Sequence, residues 1–199
     1  MSKEEKIKEL KQQILICKKC ELYKTITNSV IGEGSPDTDI IFIGEAPGYN
    51  EDKQGKPFVG NAGKIFDELL NSIDLKREEI YITNILKCRP PENRNPTEEE
   101  IKVCSSYLNK QIEIINPKII CCLGNFATSY ILKRFNIKEK IQGISKIHGK
   151  IFNVQTLTGV IKIIPLYHPA VATYNSNMLE TLKQDFQIVK QKWKELTAS

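Results

Sequence analysis

Four of the six cysteines lie in polar segments of the chain, where thiolates can bind a metal. Cys17 and Cys20 form a CxxC pair just past an amphipathic segment, and Cys88 and Cys104 lie far downstream. This set indicates a four-thiolate site, and the spacing leaves zinc and an iron–sulfur cluster both open. The adjacent cysteines at 121–122 instead fall within the apolar run KIICCL, which predicts two small core residues.

A second group of residues that could bind a ligand or take part in a reaction follows the predicted strands. The turn GEAPG at 44–48 presents backbone N–H groups suited to a carbonyl oxygen, and the carboxylate of Glu51 comes shortly after it. Phe58 stands among glycines, outside any periodic apolar stripe, in a place where a flat ligand could stack. His168 directly follows the last strand and is fixed by Pro169, which favours a chemical role over packing.

Alternating apolar patterns predict the scaffold that positions these groups. Strands are predicted at 39–44, 80–85, 118–123, 151–155 and 160–166, and helices at about 62–72, 125–133 and 177–196. An N-terminal helix carries an inner stripe that ends at Cys17, and Thr97 with Glu100 forms a capping box that starts another helix. We therefore expect an α/β fold of three layers, α/β/α, around a central, mostly parallel four-stranded sheet.

The predicted sheet gives a location for a binding site. In parallel sheets covered by helices, ligands bind beyond the carboxyl ends of the strands. The loops that follow Ile43, Ile82 and Leu166 should therefore converge on one site.

Composition agrees with one ordinary globular domain spanning residues 1–199. Apolar residues make up 40% of the chain and charged residues 27%, and the net charge of +5 permits a nucleic-acid partner without requiring one. No apolar run approaches the ~20 residues of a membrane span, and the N-terminus lacks the apolar core of a signal peptide. We expect a cytoplasmic monomer without membrane contact.

Five motifs, in order along the chain, resemble those of the family-4 uracil-DNA glycosylases of bacteria and archaea. They are GEAPG at 44–48 with Glu51 and Asp52, KPFVGNAG at 56–63, TN at 83–84, KCRPP at 87–91 and HPA at 168–170. The resemblance extends from Cys17 to about Tyr174 and is highly specific, because all five motifs keep the family's order. It implies a hydrolase that removes uracil from DNA in base-excision repair.

The resemblance also implies how the base is bound. The implied uracil-binding residues are Gly44, Glu45, Ala46, Glu51, Phe58, Asn84 and His168. A base inside a duplex is shielded, so the nucleotide must flip out, a step for which glycosylases are standard examples. Phe58 would then stack on uracil, and the Asn84 amide would pair with O4 and N3–H.

Three residues are implied in catalysis. His168 would donate a hydrogen bond to uracil O2, where negative charge collects as the glycosidic bond breaks. Another branch of the superfamily places water with an aspartate at the position that is Ala46 here. We expect Glu45 first, and Glu51 second, to take that task.

By the same resemblance, the polar cysteines hold a [4Fe–4S] cluster. The implied ligands are Cys17, Cys20, Cys88 and Cys104. The cluster would tie the N-terminal helix to segment 87–104 and serve no redox step.

Contacts to DNA are expected from the loops around the site. The candidate phosphate contacts are Arg89, Arg94, Lys146 and Lys150. Family members carry a wedging leucine shortly after His-Pro, and here either Val171 or Tyr174 must fill the gap left by the flipped base. A sliding clamp is a candidate protein partner.

Four other interpretations compete with this one. Family-5 enzymes share the cluster but usually lack the carboxylate at Glu45, and a covalent uracil-trapping branch has a histidine-containing loop where this chain reads KCRPPENRNP. From other classes, the chain could be a non-catalytic iron–sulfur nucleic-acid-binding protein or a zinc-containing nucleotide-binding domain. Release of uracil and the visible spectrum separate these.

Overall fold

A computed structural model describes residues 1–197. The strands are β1 (Glu33–Gly34), β2 (Ile40–Gly44), β3 (Tyr81–Asn84), β4 (Ile119–Leu123), β5 (Phe152–Thr156) and β6 (Gly159–Leu166). The helices are α1 (Lys3–Leu15), α2 (Tyr49–Gln54), α3 (Asn61–Asn71), α4 (Glu98–Ile115), α5 (Gly124–Arg134), α6 (Ile144–Ile147), α7 (Val171–Tyr174) and α8 (Met178–Thr197). Within the described residues, no helix is long and apolar enough to cross a membrane.

The strands form one sheet in the order β1-β3-β2-β4-β6-β5. The four central strands are parallel, and β1 and β5 are antiparallel at the two edges. The mostly parallel sheet is confirmed, but the expected count of four strands is wrong. Strand β1 has two residues and is too short to show a sequence period. Strands β5 and β6 form a hairpin, in which β6 is parallel to β4 and β5 adds an antiparallel edge.

Two apolar cores, one on each face of the sheet, confirm the three-layer arrangement. On one face, Ile41 and Ile43 pack with the inner sides of α1, α4 and α5. On the other face, Ile40 and Phe42 pack with α3 and α8. The alternation arises because successive strand residues point to opposite faces. The adjacent cysteines at 121–122 follow the same rule, are 0% exposed and belong to opposite cores, as predicted.

The helix boundaries lie close to those predicted. The capping box of α4 is present, since Thr97 Oγ1 accepts from Glu100 N–H and Glu100 accepts from Thr97 N–H. Helix α1 ends at Leu15, so Cys17 lies in the following turn and not on the helix. That turn directs Cys17 toward α4, against which α1 packs.

Candidate active site

Loops that follow β2, β3 and β6 meet at the carboxyl edge of the sheet, as predicted. They enclose a cavity of about 360 Å³. The lining residues are Glu45, Ala46, Gly48, Glu51, Phe58, Ala62, Asn84, Asn93, His168 and Ala170. All of the predicted uracil-binding residues line it except Gly44, which lies directly behind Asn84 and Phe58.

Asn84, the last residue of β3, presents a free amide to this cavity. The residue is 3% exposed, and its side chain has no hydrogen-bond partner within residues 1–197. Gly44 makes this placement possible, because a Cβ there would lie 2.3 Å from Asn84 Oδ1 and 2.9 Å from the Phe58 ring. A buried amide with free donor and acceptor groups is suited to a ligand that offers both.

The Phe58 ring forms one wall of the cavity and is held from behind. Its backbone has a left-handed φ of 52°, which is unfavourable for an aromatic residue. The Arg77 guanidinium donates to the carbonyl oxygens of Pro57 and Phe58 and pairs with Asp67, which fixes this conformation. Nothing in the sequence around Arg77 identifies it as a residue that supports the site.

Glu51 organises the same loop from its other side. Its Oε1 atom accepts hydrogen bonds from the N–H groups of Val59 and Gly60, both at 2.8 Å. Of the two carboxylates predicted to place water, Glu51 is therefore already engaged in holding the chain next to Phe58. Asp52, which is buried, accepts from Thr27 and Asn28 and ties α2 to the segment before β1.

His168 is held as a neutral donor. The Ala170 N–H donates to His168 Nδ1 at 3.2 Å, which places the ring proton on Nε2. Burial lowers the pKa of His168 to about 4, and the nearby charge of Glu51 only partly opposes this shift. The imidazole stacks near Phe58 with a centroid distance of 5.6 Å, and both side chains line the cavity.

Glu45 is the carboxylate that remains unengaged. It lines the cavity, and its side chain has no hydrogen bond or ion pair within residues 1–197. Burial raises its pKa above the ordinary value. A desolvated carboxylate without a partner is suited to bind a water molecule or accept a proton.

Asn93 also lines the cavity, although it was not among the predicted site residues. It follows Glu92 in a short turn, and both residues have positive φ angles, 55° and 56°. Arg89 Nε donates to Asn93 Oδ1 at 2.7 Å and its guanidinium lies 5.1 Å from the centroid of the Tyr49 ring. The one feature that could have identified Asn93 is its position in the Pro-rich loop that follows the strand of Asn84. By its composition this loop is an ordinary connection between two elements.

Arg94, one of the predicted phosphate contacts, forms an ion pair within the protein. Both of its terminal nitrogens donate to the Glu100 carboxylate, at 2.9 and 2.7 Å. The guanidinium thereby anchors the loop to the cap of α4.

The four polar cysteines surround a second, apolar cavity on the α1–α4 side of the sheet. Its lining residues include Cys17, Cys20, Cys88 and Cys104, together with Ile14, Lys87 and Tyr107. All four are free thiols. Burial raises the pKa of Cys88 to about 12 and that of Cys104 to about 11. Both thiols are therefore protonated at neutral pH, and a metal that binds their sulfurs must release the thiol protons.

Each thiol has a hydrogen-bonding group beside it. The Lys87 N–H donates to Cys104 Sγ at 3.2 Å. The groups beside Cys17, Cys20 and Cys88 are the Tyr107 hydroxyl, the Leu22 N–H and the Ser29 hydroxyl. Among residues 1–197, no three Cys, His, Asp or Glu side chains are close enough to hold a single metal ion. The thiols therefore surround a space without meeting at one point.

Together, the layered sheet and the first cavity define an α/β protein with a cavity suited to a flat, hydrogen-bonding ligand beyond the carboxyl ends of its strands. Comparison with known families identifies the group. Residues 31–196 match the model of the uracil DNA glycosylase superfamily, and the chain belongs to that superfamily.

Individual relatives make the comparison more specific. A type-4 uracil-DNA glycosylase of Archaeoglobus fulgidus is 45% identical over 183 residues, which cover 92% of this chain and 91% of the relative. A type-4 enzyme of Saccharolobus solfataricus is 49% identical over 176 residues, covering 88% and 81%. A type-5 enzyme of Pyrobaculum aerophilum is 29% identical over 168 residues, covering 76% and 70%. The resemblance to the family-4 enzymes is confirmed.

Proposed function

We propose that this protein is a uracil-DNA glycosylase that flips uracil out of DNA and hydrolyses its N-glycosidic bond, leaving an abasic site for base-excision repair. The single observation that carries the proposal is the meeting of the unpaired Asn84 amide, the Phe58 ring and the neutral His168 donor in one cavity. Its superfamily and its type-4 relatives supply the substrate class.

Recognition follows from the Asn84 amide. Its N–H group donates to uracil O4 and its oxygen accepts from N3–H while the ring lies against Phe58. Cytosine carries an amine and an unprotonated nitrogen at these positions, so the amide would face two mismatches. A buried site of this kind discriminates by ~10⁴ or more, because the wrong base leaves polar groups unpaired.

Bond cleavage depends on His168. The electron pair of the C1′–N1 bond leaves with uracil, which becomes an anion, while the sugar becomes an oxocarbenium ion. His168 Nε2–H donates to O2 of this anion. Because the pKa of His168 is held near 4, the residue acts as a neutral donor and keeps its proton at neutral pH.

Water attack depends on Glu45. Its unpaired carboxylate accepts a hydrogen bond from the water molecule whose oxygen joins C1′, and takes the proton that the water releases. Asn93 is the second polar group that can orient this water. Glu51 remains the second candidate to position the water, since its Oε1 atom already accepts hydrogen bonds from Val59 and Gly60.

The four cysteine donors suit a [4Fe–4S] cluster. Four thiols around a space suit a group whose own atoms separate the ligands, whereas zinc requires all four sulfurs at ~2.3 Å from one point. The residues that would hold it are Cys17, Cys20, Cys88 and Cys104. When bound, the cluster supplies a rigid link between the turn after α1 and the 87–104 segment, within one domain.

DNA would lie across the mouth of the active-site cavity. Arg89, next to Asn93, is positioned at that edge to contact phosphate. Tyr174 ends α7, just after His168, and is 91% exposed, whereas Val171 is packed against the core. We therefore favour Tyr174 as the residue that fills the gap left by the flipped base.

The deciding experiment is incubation with a single-uracil oligonucleotide followed by alkaline cleavage. Strand breaks at the uracil, and none in matched thymine or cytosine oligonucleotides, are expected from protein purified anaerobically with about four irons per chain. Intact uracil DNA with such protein would leave a non-catalytic iron–sulfur nucleic-acid-binding protein. Stoichiometric zinc without iron would end the cluster assignment.

A further inference from the structure

A fully buried lysine lies between the two cavities. Lys87 is 1% exposed and belongs to the loop that connects Asn84 to Cys88. Its backbone N–H donates to Cys104 Sγ at 3.2 Å, and its carbonyl accepts from Val30 N–H at 2.7 Å. The backbone of this residue is therefore fixed on the cysteine side of the sheet.

The side chain turns back toward the active site. Lys87 Nζ donates to Asn84 O at 2.6 Å, to Thr83 Oγ1 at 2.7 Å and to Gln111 Oε1 at 2.7 Å. Three acceptors match the three hydrogens of an ammonium group. The acceptors are fixed in turn, because Gln111 Nε2 and Thr83 Oγ1 both contact the Ile31 carbonyl.

Stability alone does not account for a charge at this position. A buried ammonium loses its hydration, and apolar residues of similar volume often replace buried charges without loss of stability. What the ammonium does supply is a directional, charge-assisted bond to the main-chain oxygen of Asn84. That bond holds the carbonyl oxygen of a peptide whose N–H, at Ile85, donates to Gly44 O at 3.0 Å. The two bonds together set the peptide plane from which the Asn84 side chain enters the cavity at the end of β3.

We propose that Lys87 is a positioning and specificity-determining residue for uracil: its ammonium orients Asn84 from a backbone anchored on Cys104. The inference rests on the proposed function, since it assigns the uracil-reading amide to Asn84. It also gives the cysteine site a physical connection to base recognition, through one residue that hydrogen-bonds on both sides.

The test compares Lys87→Met with Gln111→Leu. Both break the same buried network, but Gln111→Leu leaves the Lys87–Asn84 bond in place. Inhibition by free uracil, affinity for abasic-site DNA, melting temperature and iron content are measured on each protein. We expect Lys87→Met to bind free uracil about tenfold more weakly, with abasic-site DNA affinity and iron content unchanged. Gln111→Leu should lower the melting temperature and leave uracil binding within about twofold.

The double variant Lys87→Met/Gln111→Leu separates positioning from stability. It removes a donor together with one of its acceptors, so the melting temperature should recover relative to Lys87→Met while uracil binding stays weak. Recovery of uracil binding along with stability in the double variant would overturn the proposal. So would normal uracil binding by Lys87→Met, or a loss of uracil affinity in Gln111→Leu as large as that in Lys87→Met. A wild-type protein that neither cleaves uracil DNA nor binds uracil would instead refute the proposed function.

Discussion

The two cavities of this protein differ in whether their functional groups have hydrogen-bonding neighbours. In the active-site cavity, the Asn84 amide and the Glu45 carboxylate have no partner within residues 1–197. Around the cysteine cavity, every sulfur has a hydrogen-bonding group beside it. A site that binds and releases a base must keep its donors and acceptors free, whereas a site that retains a permanent group fixes its ligands in advance.

The largest effect is expected at His168. His168→Ala should lower the single-turnover cleavage rate by about 10²–10³, because one donor to developing negative charge is lost. DNA affinity should hardly change, since that charge exists only in the transition state. Melting temperature, DNA binding and rate are measured on one preparation. A variant that melts early yet cleaves at a near-normal rate would show that His168 only packs against its neighbours.

The next effect is expected at Asn84. Asn84→Asp should reduce uracil cleavage by roughly 10–10², because the side chain loses its donor to O4 and repels that oxygen when ionised. Rates on uracil and cytosine oligonucleotides are compared, and the ratio between them should fall. If this variant cleaves uracil at the wild-type rate and still ignores cytosine, the free amide is not what reads the base.

Glu45 should give a smaller loss with a distinct pH dependence. Glu45→Gln is expected to slow cleavage about tenfold at neutral pH, since an oxocarbenium ion needs little activation of water. Burial raises the pKa of Glu45, so the wild-type rate should fall as pH drops through a value above that of an ordinary glutamate. His168, with a pKa of about 4, stays neutral through that fall.

The pH–rate profile of the two proteins checks this assignment. The acid limb should be present in the wild type and absent from Glu45→Gln. An identical limb in both would show that Glu45 is not the group responsible for it. Glu51→Gln is the matched control, because it removes a charge from the same cavity while testing the loop contact with Val59 and Gly60.

The smallest effect is expected on the cysteine side. Ser29→Ala removes the hydroxyl next to Cys88 and should leave the cleavage rate within about twofold, because neutral hydrogen bonds contribute little. Iron should be lost faster in air or chelator, as followed by visible absorbance. A large fall in cleavage with iron retained would contradict this expectation and give the Ser29 hydroxyl a role beyond the cysteine site.

Much of this protein was predictable from its sequence because the signals are local. The apolar runs that became β2, β3, β4 and β6 identify themselves by composition, and the capping box of α4 lies within four residues. The convergence of the loops after β2, β3 and β6 follows from a general rule of parallel sheets. The four cysteines and the five motifs, read in order, were sufficient to identify the family.

Tertiary structure decided the roles within the site, because each depends on contacts between distant segments. The sequence ranks Glu45 ahead of Glu51 without any contact that separates their roles, and only the fold brings the N–H groups of Val59 and Gly60 to Glu51. Asn93 and Asn84 line the same cavity although a Pro-containing loop separates them in the chain.

The same holds for the residues that support the site from behind. Arg77 reaches the carbonyl of Phe58 from the other end of α3, and no spacing rule connects the two. The lysine in KCRPP reads as one more basic residue of a polar loop, yet Lys87 is buried with three acceptors supplied by β3 and α4. The sequence by itself determined which residues could do chemistry. Burial and long-range hydrogen bonds, which exist only in the folded chain, determined which of them remain free to do it.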